Sequence, residues 1–369
     1  MRRATFYTFV SLDAEGANLT PGLVYYWDNA NPPATHESAV DLIVDGGYKI
    51  LQLAAGRDWF NNAVFFVALR SDFTVWAWAP YGNTSYWPYN ATPVQISFSA
   101  ATSFIQVDAD TEACFAIDNT GRVWGWGNGF VLGTNGFAPN SYLTPRLVSM
   151  SGTFTSINTR GSSAMALRND GLLLAWGNNS EQQLGHAGLG VTPDLVAGGI
   201  TFKKFRVGGG SWAASMGIGT VNDSLYTWGR NLEGQCAVTS ATATISFPLL
   251  RATSIRDAIG LAGGSSLYIN SAGEVFTWGV GNAAYAPAWH SGTTYIPTNR
   301  SLNLALYGLG RGLKEGPIFA LDGKWRAWAW NAAPIGTGTQ ATSVPTQVAG
   351  SKTFRDVIPS RGSIMHGTT

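Results

Sequence analysis

Short apolar runs separated by turn residues follow one another along the whole chain. Ala164-Met165-Ala166-Leu167-Arg168 meets Asn169-Asp170-Gly171 and resumes as Leu172-Leu173-Leu174-Ala175-Trp176. Ile318-Phe319-Ala320-Leu321 meets Asp322-Gly323 in the same way. An apolar run, an Asx-Gly turn and a second apolar run predict a β-hairpin. Gly supplies the positive φ that a tight hairpin turn needs. No long stretch carries the 3.6-residue apolar period of an amphipathic helix, so the prediction is a β-rich fold with little helix.

The hairpins repeat. A turn residue, a β-prone stretch and a Trp recur at Trp27, Trp78, Trp126, Trp176, Trp228, Trp278 and Trp328, spaced by 48 to 52 residues. The clearest copies are Gly121-Arg122-Val123-Trp124-Gly125-Trp126-Gly127, Gly171-Leu172-Leu173-Leu174-Ala175-Trp176-Gly177 and Gly273-Glu274-Val275-Phe276-Thr277-Trp278-Gly279. Weaker copies keep the Trp and lose a Gly: Asp223 stands for the leading one, Ala79 and Ala329 for the trailing one. Beyond most copies comes a Gly/Asn-rich stretch and then a Pro, at Pro93, Pro145, Pro193, Pro248, Pro297 and Pro345. A period of this length points to a propeller or an array.

Three segments carry a resemblance to a known family. Asp170-Gly171, Trp176-Gly177-Asn178-Asn179, Gln183-Leu184-Gly185 and Thr192-Pro193 together look like the repeat of the regulator of chromosome condensation family. Trp228-Gly229-Arg230-Asn231-Leu232-Glu233-Gly234-Gln235 and Trp126-Gly127-Asn128-Gly129 with Leu132-Gly133 are similar. The resemblance spans nearly the whole chain and is degenerate at both ends. It implies an all-β fold, a seven-bladed β-propeller with four antiparallel strands per blade. Kelch repeats show a Gly pair before the aromatic signature, and WD repeats are shorter and end in Trp-Asp; neither fits. Phe354 to Met365 resembles the first half of a repeat without its Trp unit, and Gly22 to Trp27 lies near the start. The expectation is that the N- and C-terminal segments share one blade, closing the ring and removing open sheet edges. Residues 1–369 are then one domain.

Composition narrows the partners. With Lys and Arg at 23, Asp and Glu at 22 and only 12% charged residues, the net charge is +1, which gives no field for nucleic acid. Lys203-Lys204-Phe205-Arg206 reads as a solvated turn. Cys114 and Cys236 read as small core residues, not a disulfide framework. Met1 to Val10 has two Arg before an apolar run that Thr5 and Thr8 interrupt; it reads as a strand, not a signal peptide, and no run reaches transmembrane length. Low charge and abundant Ser, Thr, Asn and Gly suit virion or extracellular proteins, so that localisation is expected, without membrane insertion.

Catalytic chemistry is sparse. His36, His186, His290 and His366 lack zinc-ligand spacing. Gly208-Gly209-Gly210 is not followed by the residues of a phosphate loop. No Ser sits in a nucleophile elbow. Asp108, Asp110 and Glu112 alternate along a strand and share a face, a weak candidate for a hard cation against the reading of a polar strand end. No cofactor is expected.

The aromatics are the candidate binding residues. Trp76, Trp124 and Trp330 lie two residues from a repeat Trp and read as core packing on the same strand face. Trp59, Trp87, Trp212 and Trp289 fall in or beside turns. Trp87 with Tyr86 and Tyr89, and Trp289 with Tyr285 and Tyr295, form the two best patches; loop aromatics on a rigid scaffold anchor interfaces, and packing between blades is the alternative. Three functions compete. One is a non-enzymatic protein-binding scaffold, like the family's effector and inhibitor members. The second is a phage virion component (tail, fibre or capsid decoration) that binds virion proteins or a host surface receptor. The third is guanine-nucleotide exchange, which in the family uses an inserted wedge that the even spacing leaves no room for.

Overall fold

The computed structural model describes residues 6–10, 24–28, 39–40, 48, 50–57, 64–78, 93–101, 103–110, 113–133, 141–188, 190–209, 214–238, 242–261, 264–281, 292–302, 304–309, 318–324, 326–330, 345–347 and 356–359. They form an all-β propeller of four-stranded antiparallel blades. Six blades are each built from consecutive strands: blade 1 (50–95), blade 2 (104–147), blade 3 (154–195), blade 4 (202–252), blade 5 (255–299) and blade 6 (306–347). A further four-stranded sheet draws on both ends of the chain, in the order Asp356–Pro359, Phe6–Val10, Val24–Asp28, Ala39–Val40. Phe6–Val10 pairs antiparallel with Val24–Asp28 on one side and with Asp356–Pro359 on the other.

Within each blade the first strand is innermost, because first strands of successive blades pack beside one another. These inner strands are Ile50–Arg57, Phe104–Asp110, Phe154–Arg160, Phe202–Arg206, Ile255–Gly260 and Leu306–Leu309. Lys203-Lys204-Phe205-Arg206, expected as a solvated turn, is therefore strand at the hub of blade 4. The recurring Pro fall on or just before the fourth, outermost strands, as Pro145, Pro248 and Pro297 do within Ser141–Leu147, Thr244–Ala252 and Gly292–Asn299. There an edge strand tolerates a residue with no N–H to donate.

The core lies between blades. One apolar cluster joins blades 3, 4 and 5 from Met165 to Trp278, another joins blades 1 and 2, and a third blades 2 and 3. Trp78, Trp126, Trp176, Trp228 and Trp278 are among the largest fully buried side chains. Both cysteines are buried and free.

Register corrects one repeat assignment. Trp126, Trp176 and Trp278 each stand opposite the residue four before the hairpin end, as in Trp126↔Cys114, Trp176↔Ala164 and Trp278↔Ser266. In blade 6 the residue at that station is Trp330, opposite Ile318, while Trp328 faces Ala320 as Trp124 faces Ala116. Trp330 is the repeat Trp of that blade, and Trp328 is the extra one.

The extra Trp has its own partner. Trp124 is 2% exposed and donates its indole N–H to Asp118 Oδ2 at 2.9 Å, beside Arg122 Nε at 2.8 Å. Trp328 and Arg326 repeat this on Asp322 at 3.0 and 2.7 Å. Each Asp so bridges the two ends of its own hairpin. Burial pushes the Asp118 carboxyl up, but hydrogen bonds from Thr120, Trp124 and Arg122 together outweigh it and hold the group at about 2, against an ordinary 3.8.

Two predictions follow from the hairpins. Gly177, just after the repeat Trp, has φ +96°, and a Cβ there would sit 2.2 Å from the Ser162 carbonyl oxygen. Gly177→Ala is expected to cost about 2–4 kcal/mol in urea unfolding, whereas Phe73→Gly, which relieves an exposed residue at φ +65°, gains about 1 kcal/mol; equal effects of opposite sign to these would refute the strain argument. For Asp118, the depressed folded pKa means stability present above about pH 4 and lost as pH falls through about 2. Asp118→Asn is expected to lower stability by about 2 kcal/mol at pH 7 and to flatten the loss of stability between pH 4 and pH 2, measured by unfolding across that range.

Candidate functional site: the hub and the mouth of the central channel

Among the described residues each inner strand of the six blades pairs with a strand on one side only, so its other edge faces its neighbour across the hub. Side chains from the preceding blade fill that edge. Gln52 Oε1 accepts Val107 N–H at 2.9 Å, and Gln106 accepts Ile157 N–H at 2.8 Å while its Nε2 donates to the Ile157 carbonyl at 3.0 Å. Asn158 accepts Val207 N–H and Asp257 accepts Leu309 N–H, both at 3.0 Å.

The acidic candidates belong to this system. Asp108 Oδ2 accepts Thr159 N–H at 2.7 Å and Asn158 Nδ2 at 3.1 Å, and Asp110 Oδ2 accepts Gly161 N–H at 3.1 Å. The strand alternation is as expected, but both carboxylates are aimed at the backbone of blade 3. A carboxylate oxygen turned onto backbone N–H donors is engaged by the scaffold. Glu112 lies outside the described residues. Among the described residues no group of three or more His, Cys, Asp or Glu is placed to hold a metal.

Two arginines reach further. Arg160 Nη1 donates to the Gly260 carbonyl at 2.7 Å, from blade 3 to blade 5. Arg206 Nη2 donates to the Leu309 carbonyl at 2.9 Å, from blade 4 to blade 6, and lies 3.6 Å from Asp257. Burial pulls the Arg160 guanidinium below its ordinary range; Asp110 opposes that shift and Arg206 adds to it. Gly209 packs against the Arg160 backbone: a Cβ there would lie 2.3 Å from the Arg160 carbonyl oxygen.

At one end of the hub each inner strand is irregular. The register with the second strand slips by one residue in all six blades, leaving Leu51, Ile105, Thr155, Lys203, Arg256 and Tyr307 as bulged residues. A bulge re-aims its side chain. Ile105 is 49% and Tyr307 48% exposed. Beside this rim a cavity of about 280 Å³ opens between blades 3, 4 and 5, lined in part by Asn158, Lys204, Arg206 and Asp257 and bordered by Gln106 of blade 2. Lys204 Nζ donates to the Arg256 carbonyl at 2.8 Å. Arg256 donates to the Ser271 and Leu306 carbonyls at 2.6 and 3.3 Å and stacks on the Tyr307 ring. Lys203 pairs with Asp223. The sequence signal for this rim is a bulge-disturbed alternation, buried-exposed-exposed-buried over Phe202 to Phe205.

The family motif itself is structural. Trp176, Trp228 and Trp278 donate their indole N–H to the Val131, Gln183 and Gln235 carbonyls at 2.8, 2.9 and 2.7 Å, each in the preceding blade. Ser215 and Ser266 hydroxyls donate to the same Gln183 and Gln235 carbonyls. Asn179 and Asn231 hold those loops by accepting Leu184 and Cys236 N–H. His186 is buried, with Nδ1 accepting Gly188 N–H and Nε2 bonded to the Ala175 carbonyl, a structural pin.

Of the aromatic candidates, Tyr295 is described: it is half-buried on the outer strand of blade 5, its ring against the Gly234 position. Tyr86, Trp87, Tyr89, Trp289, Tyr285, Trp59 and Trp212 lie outside the described residues. No helix among the described residues is long and apolar enough to cross a membrane.

No family model matches the chain. A stretch of 216 residues, 54% of the chain, is 24% identical to the E3 ubiquitin-protein ligase HERC2 of Homo sapiens and 26% identical to that of Mus musculus, and covers only 4% of those ligases. Among solved structures, human WBSCR16 superposes with a TM-score of 0.70 at 16% identity over 95% of this chain and 94% of that one. Prp20p of Saccharomyces cerevisiae, a protein with binding properties toward Gsp1p and histones, gives 0.64 at 18% identity over 95% and 87%. The same yeast RCC1 (Prp20) bound to Kap60 gives 0.63. Blade architecture, Trp-anchored repeats and these neighbours together show that the chain has the β-propeller fold of RCC1-like proteins.

Proposed function

We propose that this chain is a non-enzymatic protein-binding propeller, one closed seven-bladed ring that forms a single domain over residues 1–369. The observation that carries the reading is where its polar groups go. Asp108, Asp110, His186, Gln52 and Gln106 all bond to backbone that joins strands or blades. Their chemistry is spent on the scaffold, and a rigid scaffold with long connections is the design of a binding protein. Ring closure is supported by the pairing of Phe6–Val10 with Asp356–Pro359 and by the packing of that last strand near both Ile50–Arg57 and Ile318–Asp322.

The binding face we assign is the one carrying the aromatic connections. Trp59 and Trp212 fall between the first and second strands of blades 1 and 4. Trp87 with Tyr86 and Tyr89, and Trp289 with Tyr285, fall between the third and fourth strands of blades 1 and 5. In an antiparallel blade those two kinds of connection belong to the same end, which supports a shared patch, with Tyr295 at its border. Within this class we read the chain as a structural or host-recognition component of a phage virion, bound to other virion proteins or to a host surface receptor and so found on the virion or outside the cell. A net charge of +1 with 12% charged residues supports that over a nucleic-acid partner. A secreted effector or inhibitor-like propeller is the alternative within the same class.

Capture from the source organism's particles and host envelope tests the reading. The purified chain is expected to retain virion or envelope proteins, and Trp87→Ala or Trp289→Ala to reduce capture by about tenfold or more, as loss of an aromatic anchor does. Capture unchanged in both variants would refute the aromatic face. No capture, with accelerated nucleotide release from a small GTPase, would replace the reading with exchange activity.

A further inference from the structure

We propose that the mouth of the central channel between blades 3, 4 and 5 is a second recognition site, and that it takes an acidic segment of a partner protein. The inference rests on the protein-binding reading but uses the opposite end of the blades, where the inner-strand bulges lie.

Three observations converge there. First, a concave space of about 280 Å³ exists, large enough for one or two side chains. Second, its charge is unbalanced: Lys203, Lys204 and Arg206 line it against Asp257 alone, and on the adjoining rim Arg256 adds a cation while Asp223 pairs with Lys203. Lys204 and Arg256 are engaged by carbonyls and, among the described residues, neither has a carboxylate within ion-pair distance. An ammonium and a guanidinium held by neutral acceptors keep their attraction for an anion. Third, the repeated bulge turns Lys203 and Lys204 outward in succession, which a regular strand forbids.

The carboxylate source is a protein segment and not nucleic acid because the cationic arc is short. It covers blades 4 and 5, while the bulged positions of blades 1 and 2 are Leu51 and Ile105. Nucleic-acid affinity accumulates over many phosphate contacts, and this rim has room for few. An apolar arc facing a cationic one suits a chain carrying both acidic and apolar residues.

Fluorescence polarisation with a labelled peptide alternating Glu and Leu tests the site, with free glutamate and an oligothymidylate of equal charge as comparisons. The peptide is expected to bind at low salt, more weakly as salt rises. Lys204→Glu should weaken it about tenfold or more, Lys204→Gln less, and Arg146→Glu, on the outer strand of blade 2, should leave it unchanged. Matched melting temperatures ensure that the Lys204 variants are compared as folded protein. Unchanged affinity in Lys204→Glu, no peptide binding, or tighter binding of the oligothymidylate overturns the proposal. Free glutamate competing as well as the peptide would also overturn it, in favour of a small-carboxylate pocket. A chain that captures its partner through Trp87 while ignoring the peptide leaves the protein-binding reading standing and removes this site alone.

Discussion

The open edge at the hub is the constraint on which this propeller depends. Each blade ends at an inner strand whose far-side N–H and C=O groups have no strand to pair with, and leaving buried backbone groups unpaired costs about as much as the hydrogen bonds it forgoes. The chain meets this with side chains sent from one inner strand to the backbone of the next, through Gln52, Gln106, Asp108, Asn158 and Asp257. Such bonds fix the angular offset between blades as well as their identity, because an Asn or Gln of fixed length reaches only one register. Arg160 and Arg206 extend the same device across two blades.

A second layer of coupling lies further out. The repeat Trp buries its ring between blades and spends its one donor on a carbonyl of the blade before it. The Gly that follows lets the chain turn where a Cβ would lie 2.2 Å from the Ser162 carbonyl oxygen. Trp and Gly therefore act as a unit, one gripping the neighbouring blade and the other releasing the chain into its connection. The Asn and Gln that complete the motif shape the loop whose carbonyl receives the next Trp. A motif explained so fully by blade-to-blade contact carries the architecture and is silent about the partner.

That accounts for what could be read in the chain beforehand. Trp126, Trp176, Trp228 and Trp278 are visible because burial between blades demands the same large side chain every fifty residues or so. The blade 6 repeat is displaced by two because its Ala-Trp-Ala-Trp strand offers two candidates, and spacing alone favours Trp328; only register shows that Asp322 engages Trp328, as Asp118 engages Trp124. For Asp108 and Asp110 the shared face was legible. What they face was not, since a backbone N–H fifty residues away leaves no mark in the local pattern. Phe202 to Arg206 hid its strand because the bulge puts two lysines in sequence and breaks the period of two.

The bulges connect architecture to recognition. A hub wired by side chains needs regular inner strands deep in the channel, yet at the mouth the inner strand of each of the six consecutive blades gives up one ladder position. A single slip can be local accommodation; the same slip in six unequal strands is a property of the repeat. Its outcome differs by blade, because the freed residue is Leu51, Ile105, Thr155, Lys203, Arg256 or Tyr307. The repeat therefore supplies a ring of outward-facing positions whose chemistry the hub does not dictate. Arg160 and Arg206 brace the hub by their own cross-blade bonds, so variation in this ring leaves the contacts between blades in place.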